Sequence, residues 1–183
     1  MRWSKDYLSR SAKMERSRYL HCPSFHTLRP DLVRALFCGH LDAMNYSDDF
    51  IREVLTSTKQ IALVGASANP VRPSHGVMRF LLSKGYVVHP INPGLAGQDL
   101  LGQLVYGSLT EIPKSAGVDM IDIFRRSEAV LPIVEEAIAE LPDLKTVWTQ
   151  LAVVNDEAAA LAESKGLRVV QDRCPAIEYP RLM

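Results

Sequence analysis

The stretch that decides the fold is IALVGASANPVRPSHGV, residues 61 to 77. Its first residues, Ile61 to Val64, form a short apolar run typical of a strand buried on both faces, and Gly65 follows directly. A small polar loop then opens a helical pattern. A strand, a glycine turn and a helix in this order are typical of phosphate-binding turns, because the first N–H groups of a helix are free to donate to an anion.

Strand and helix patterns alternate from residue 60 onward. Strands are predicted over 61–64, 86–91, 104–106, 118–124, 145–148 and 167–170, and helices over 74–84, 108–113, 127–141 and 155–165. Ser108 with Glu111 reads as a capping box, and Ser127 as a helix cap. This alternation predicts the α/β class: a doubly wound, mostly parallel, Rossmann-like sheet in three layers.

Residues 1–43 do not follow this pattern. They carry eight basic against four acidic residues and show no sustained period of 3.6 or 2. A flexible basic tail, an arm that packs elsewhere, a presequence, and upstream sequence included by an early start codon are all open interpretations. Ser47 can cap a helix that begins the main domain. The expected organisation is therefore an extension over 1–43 and one domain over 44–183.

Composition limits the classes of partner. The chain has 183 residues, 47% of them hydrophobic, and a formal net charge of +0, so it offers no general attraction for nucleic acid or an anionic membrane. No apolar run approaches the roughly 20 residues of a spanning helix. The three cysteines form no CxxC pair, which favours a reduced, cytoplasmic setting. A small-molecule ligand is expected, and a homo-oligomer stays open.

Open α/β sheets bind ligands beyond the carboxyl ends of their strands, where the strand order reverses. The candidate loops are 65–75, 92–94, 124–127 and 149–154. In the first loop, Gly65 permits a tight turn, and a set of polar and cationic side chains can bind phosphate: Ser67, Asn69, Arg72, Ser74 and His75.

The choice of phosphate ligand follows from what the loops lack. A Walker loop needs Gly-Lys before Ser or Thr, and none follows this strand. A dinucleotide site needs three spaced glycines and an acidic residue at the end of the second strand, where this chain has Asn92 and Pro93. This argues against NAD, although a nicotinamide-dependent oxidoreductase or redox sensor stays as the alternative, as does a partner-regulating subunit.

Three segments carry a family resemblance: GASANPVRPSHGVMRFLLSKGYVVHPINP (65–93), VDMIDIFRRSEAVLPIVEEAI (118–138) and VWTQLAVVNDEAAALAESKGLRVVQDRC (147–174). Together they resemble the small stand-alone bacterial CoA-binding proteins, which are related to the CoA-binding domain of the succinyl-CoA synthetase alpha subunit. The resemblance runs from about residue 49 to the carboxyl terminus. It implies coenzyme A or an acyl-CoA as the ligand, whose 3′-phosphate and pyrophosphate suit a site with several cations.

The resemblance also implies roles for particular positions. The first loop would hold the pyrophosphate, through Gly65, Ala66, Ser67 and the residues Arg72, Ser74 and His75. The end of the second strand, Asn92 and Pro93, would meet the adenosine. The loop after the fourth main strand, with Ile123, Phe124, Arg125 and Arg126, would meet the nucleotide and pantetheine. One departure is Ala152, where family members often have glycine.

Several of these residues have a structural reading as well. Phe124 could stack on the ligand or belong to the core, and one of Arg125 and Arg126 could be a solvated surface residue. Trp148 and Gln150 are further candidates to line the site, although a tryptophan in a strand is more often core.

No catalytic constellation is visible. The histidines show neither triad nor metal spacing, and no carboxylate pair reads as acid and base, so no reaction is assigned and no metal is expected. Cys174 is the candidate reactive thiol. Arg173 or a helix N-terminus could lower its pKa and allow it to form a mixed disulfide with the CoA thiol. The competing interpretation is a small buried apolar residue.

Overall fold

The computed structural model describes residues 46–183, and the extension expected over 1–43 lies outside the described residues. Helices span Asp48–Ser57 (α1), Pro73–Ser83 (α2), Val130–Glu140 (α3), Asp156–Ser164 (α4) and Pro175–Leu182 (α5). Strands span Gln60–Val64 (β1), Val87–Ile91 (β2), Asp99–Leu100 (β3), Gln103–Leu104 (β4), Met120–Ile123 (β5), Thr146–Thr149 (β6) and Arg168–Val170 (β7). None of the helices in this part of the chain has the length and apolar character needed to cross a bilayer.

Five of these strands form one parallel sheet in the order β2-β1-β5-β6-β7. From β1 the chain first moves outward to β2 and later returns to place β5 on the other side of β1. The strand order therefore reverses between β1 and β5. The expected Rossmann-like, doubly wound α/β fold is confirmed, and its switch point lies at the carboxyl ends of β1 and β5.

Helices cover both faces of the sheet, as continuous apolar strands require. On one face α1, α2 and α5 pack on side chains such as Leu63, Met120 and Trp148. On the other face α3 and α4 pack on Ala62, Ile121 and their neighbours in the strands. The result is the expected three layers.

Two predicted helix starts have different outcomes. Ser47 caps α1, since its side chain accepts a hydrogen bond from the Phe50 N–H. Ser127 does not cap α3: a 3₁₀ turn over Ser127–Ala129 precedes the α-helix, and the Ser127 hydroxyl accepts from the Val154 N–H instead. The prediction of a cap at Ser127 is therefore wrong, because a neighbouring loop uses that oxygen.

The weak third strand predicted over 104–106 does not form as a strand of the main sheet. Gln103–Leu104 pairs antiparallel with Asp99–Leu100 in a hairpin. Tyr106 alone makes a parallel bridge along the outer edge of β2, donating its N–H to the Pro90 carbonyl and accepting from the Asn92 N–H, both at 2.9 Å.

The capping box predicted at Ser108 does not form. The short helix is a 3₁₀ turn over Leu109–Glu111, and the Ser108 side chain caps none of its N–H groups. The Glu111 carboxylate accepts from the Gly107 N–H at 2.7 Å, one residue earlier than the motif specifies.

Helix α5 is an element that the sequence patterns do not predict. It begins with Pro175 and contains Pro180, and prolines inside a pattern normally argue against a helix. Its stability comes from packing: Tyr179 meets the rings of Phe80 and Tyr86 edge-on, with centroids 5.8 and 6.3 Å apart. Tertiary contact outweighs local propensity here.

A buried carboxyl group lies inside the sheet at Asp122. Asp122 is 0% exposed, one carboxyl oxygen accepts from the Gln150 amide at 2.7 Å, and the other has no hydrogen-bond partner within residues 46–183. Burial raises the pKa of Asp122 to about 7, and the hydrogen bond from Gln150, which lowers the pKa, offsets only part of this effect. The folded protein therefore holds a proton on Asp122 that the unfolded chain releases at lower pH.

We expect this group to make stability fall with rising pH. Because the folded pKa is raised, the unfolded chain binds fewer protons between about pH 4 and 7, and the free energy of unfolding declines across that window by roughly 1 to 4 kcal/mol. Asp122→Asn cannot ionise and should lose this decline, measured by urea unfolding at several pH values. Exposed Asp143→Asn is the control, with an unchanged slope. An equal decline in Asp122→Asn would contradict the assignment.

Candidate functional site

The candidate site lies where the carboxyl ends of β1 and β5 meet. Gly65 ends β1 with a φ of +93°, a conformation that favours glycine, and a Cβ added there would lie 2.7 Å from the Phe124 carbonyl oxygen. The aliphatic stem of Arg125 would be 3.2 Å from the same Cβ. The first loop and the loop after β5, which sequence analysis placed at one edge, are therefore in direct contact.

The first loop is shaped by its own side chains. The Ser67 hydroxyl accepts a hydrogen bond from the Asn69 N–H, and the side-chain oxygen of Asn69 accepts one from the Val71 N–H. His75 Nδ1 lies 3.1 Å from the backbone carbonyl oxygen of Ser67. Pro73 starts α2 at a position where no N–H is needed.

This loop leaves backbone donors available. Within residues 46–183, no acceptor takes the N–H groups of Ser67, Ala68 or Ser74. These N–H groups lie at the positive end of the α2 dipole, which attracts anions. The Ser74 side chain is itself largely buried at the helix start. This part of the edge has the chemistry of an anion site.

Asn92 has a role that the sequence did not indicate. Its side-chain amide donates to the Ala66 carbonyl at 2.7 Å, and its side-chain oxygen accepts from the Gly94 N–H at 2.8 Å. Both halves of the amide are thus occupied within the protein. Asn92 positions the first loop against the 3₁₀ turn that begins at Pro93, rather than presenting a free side chain to a ligand.

The residues after β5 divide into buried and exposed groups. Ile123 is 0% exposed and belongs to the core under α3 and α4, so its side chain is not available to a ligand, contrary to expectation. Phe124 is half-buried and packs against the opposite core. Arg125 and Arg126 are exposed at the edge of the site.

Four arginines elsewhere in the described domain are paired with carboxylates, whereas Arg79 on α2 is unpaired there, as are the arginines of the candidate loops. Arg52, Arg168, Arg173 and Arg181 all have carboxylate partners. By contrast, the guanidinium groups of Arg72, Arg125 and Arg126 have no hydrogen bond or ion pair with any residue of the described domain. Cations that lack a protein partner and share one edge with free N–H groups favour an anionic ligand.

The loop over 149–154 contributes less than expected. Three of its N–H groups are used internally: Ala152 donates to Asp172, Val153 to Gln150 and Val154 to Ser127. Trp148 is 0% exposed and donates to the Arg173 carbonyl, while Gln150 is bonded to Asp122. Trp148 and Gln150 are therefore core residues, and the expectation that they line the site is wrong.

Cys174 is not an activated thiol. Its side chain is 9% exposed at the start of α5, and burial, followed by the charge of Asp122, raises its pKa to about 11. The expected lowering of this pKa by Arg173 or the helix N-terminus is wrong, although N–H groups of α5 do act in that direction. The structure favours the interpretation of a small core residue.

Comparison with known proteins identifies the class. Residues 59–180 match the model of a family described as a CoA binding domain, and the chain belongs to this family. The chain is 36% identical over 135 residues to the uncharacterized protein YneT of Bacillus subtilis (strain 168), an alignment that covers 74% of this chain and 96% of YneT.

Solved structures agree with this assignment. A hypothetical protein from Pyrococcus horikoshii OT3 is 39% identical with a TM-score of 0.69, over 75% of this chain and 93% of its own. The dinucleotide forming acetyl-coenzyme A synthetase 1 of Ca. Korarchaeum cryptofilum is 28% identical with a TM-score of 0.50, over 61% of this chain and 25% of its own.

Ala152 gives a test of backbone strain at this edge. Its φ is +63°, in the left-handed region where a Cβ is unfavourable. Ala152→Gly should raise the free energy of unfolding by about 0.5 to 1 kcal/mol, measured by urea denaturation.

The matched control is Ala160→Gly, an exposed alanine inside α4, which should lower stability by about 1 kcal/mol. Destabilisation by both glycines would show that Ala152 is not strained.

Proposed function

We propose that this domain binds coenzyme A or an acyl-CoA at the edge where β1 and β5 meet, and that it acts as a carrier or regulator to which we assign no reaction. The observation that carries the proposal is the coincidence of N–H groups near the start of α2 with the guanidinium groups of Arg72, Arg125 and Arg126, all of them without a partner within residues 46–183. Membership of a CoA-binding family and likeness to a segment of an acetyl-coenzyme A synthetase support it.

The pyrophosphate is assigned to the first loop. The N–H groups of Ser67, Ala68 and Ser74 would donate to its oxygens, and the α2 dipole would add to the attraction. Gly65 and Ala66 shape the turn. Both donate their N–H groups to the Ile91 carbonyl, at 3.0 and 3.1 Å, so they hold the loop rather than the ligand.

The remaining phosphate is assigned to the exposed arginines. Arg72 flanks the first loop, and Arg125 and Arg126 approach it from the loop after β5. Guanidinium groups bind phosphate oxygens in pairs of hydrogen bonds, so they suit the 3′-phosphate that distinguishes CoA from most nucleotides. Phe124, half-buried beside them, would contact the adenine or the pantetheine arm.

A nicotinamide cofactor is the alternative ligand. Its ribose would need a carboxylate at the end of β2. That position holds Asn92, whose amide already bonds Ala66 and Gly94. The alternative is therefore the less well supported of the two.

Thermal denaturation with CoA, acetyl-CoA, NAD, NADP and ATP tests the choice. A ligand present at about 100 times its dissociation constant stabilises the folded state by roughly 2.7 kcal/mol. CoA and acetyl-CoA should raise the melting temperature more than the other three at equal concentration. Stabilisation by NAD without any by CoA would overturn the proposal, and a larger shift with acetyl-CoA would identify an acyl-CoA as the preferred form.

The paired variant Arg125→Ala/Arg126→Ala should weaken CoA binding by about tenfold or more, because charge-assisted hydrogen bonds to phosphate are lost. Titration calorimetry gives the affinity, and thermal denaturation without ligand checks that the fold is intact. Arg79→Ala is the matched control, since Arg79 is an exposed arginine on α2 outside the candidate loops. Equal affinities for all three proteins would remove Arg125 and Arg126 from the site.

A further inference from the structure

We propose that the domain takes up a proton at His75 when it binds the phosphate groups of its ligand, so that the same site responds to pH. This inference rests on the proposed function and deepens it. His75 lies in the first turn of α2, half-buried beside the first loop.

The contact to Ser67 fixes the state of the His75 ring. Nδ1 lies 3.1 Å from the Ser67 carbonyl oxygen, and a carbonyl can only accept, so Nδ1 carries a proton and donates it. In the neutral ring the second nitrogen, Nε2, is then a bare acceptor. Nε2 has no partner among residues 46–183.

A phosphate oxygen can accept a hydrogen bond from the protonated His75 ring at Nε2 but not from the neutral ring. Phosphate is itself an acceptor, so it gains nothing from a neutral Nε2. A protonated ring donates from both nitrogens, keeping the bond to Ser67 while Nε2 donates to the ligand. The N–H groups of Ala68 and Ser74, which have no acceptor within residues 46–183, belong to the same loop and the same helix start as His75. Phosphate bound there therefore favours the protonated ring.

The coupling arises between the phosphate and the ring, and the surrounding charges are mostly positive. His75 has no carboxylate partner among the described residues; Arg72 and Arg79 lie at the start of α2 and on it, and the segment between β5 and α3 carries Arg125, Arg126 and the exposed Glu128. On α5, Glu178 forms ion pairs with Arg173 and Arg181. On β2, the His89 ring is hydrogen-bonded to the Gln60 side chain. Without ligand an imidazolium adds one more positive charge to this edge, and a bound phosphate compensates it. Proton and ligand therefore bind cooperatively.

Calorimetry in two buffers of different ionisation enthalpy measures this proton directly. The ligands are CoA and dephospho-CoA, because the 3′-phosphate of CoA itself titrates near pH 6 while dephospho-CoA keeps only the pyrophosphate. We expect uptake of up to one proton between pH 7 and 8. Affinity should fall about tenfold between pH 6 and 8, the difference between a charge-assisted hydrogen bond and none.

His75→Asn is the decisive variant, because its amide can still donate to the Ser67 carbonyl but cannot be protonated. It should bind with pH-independent affinity for dephospho-CoA and without proton uptake. With CoA, the contribution of the 3′-phosphate is common to both proteins and cancels in their difference. Thermal denaturation checks folding, and His75→Gln replaces His75→Asn if the latter is unfolded.

Each outcome decides a different claim. Equal proton uptake in the wild type and His75→Asn would overturn the assignment, and Asp122→Asn would then test the buried carboxyl as the source. Ligand binding without uptake in the wild type would overturn the role of His75 and leave the proposed function standing. No binding of either ligand at any pH would overturn both.

Discussion

The carbonyl oxygen of Phe124 leaves no space for a side chain at residue 65, and the edge proposed to bind the ligand depends on this close approach. It brings the end of β1 against the loop after β5 at the one place where the strand order reverses. The turn that results directs the Ala66 carbonyl to Asn92 and places the stem of Arg125 across Gly65. A side chain here would separate the two loops whose donors the proposed site combines.

Much of the fold could be predicted because its signals are local. Apolar runs followed by glycine or by a polar cap identify the five strands of the main sheet and the helices between them, with bounds differing from those observed by up to three residues. The exceptions depend on contacts distant in sequence. The hairpin at Asp99–Leu104 and the bridge at Tyr106 are selected by the edge of β2, and α5 is selected by aromatic packing on Phe80 and Tyr86.

The sequence allowed us to predict which loops lie at the same edge of the sheet, but not which of their side chains are buried or already hydrogen-bonded. In a strand buried on both faces, the alternation of side chains does not show which residues at its end stay accessible to a ligand. The sequence therefore could not show that Ile123 and Phe124 pack against opposite cores. Nor does sequence indicate that both halves of the Asn92 amide are occupied. The lack of carboxylate partners for Arg72, Arg125 and Arg126 among the described residues depends on tertiary geometry, which the sequence does not reveal.

The outer edge of β2 has a consequence for self-association. Its carboxyl half contains Pro90, which has no N–H, and the Pro90 carbonyl and the Asn92 N–H are already bonded to Tyr106. A foreign strand that approached along this carboxyl half would find neither donor nor acceptor to continue the ladder. This half of the edge strand, next to the candidate loops, is thus protected from open-ended strand addition by an imino acid and a single neighbouring peptide.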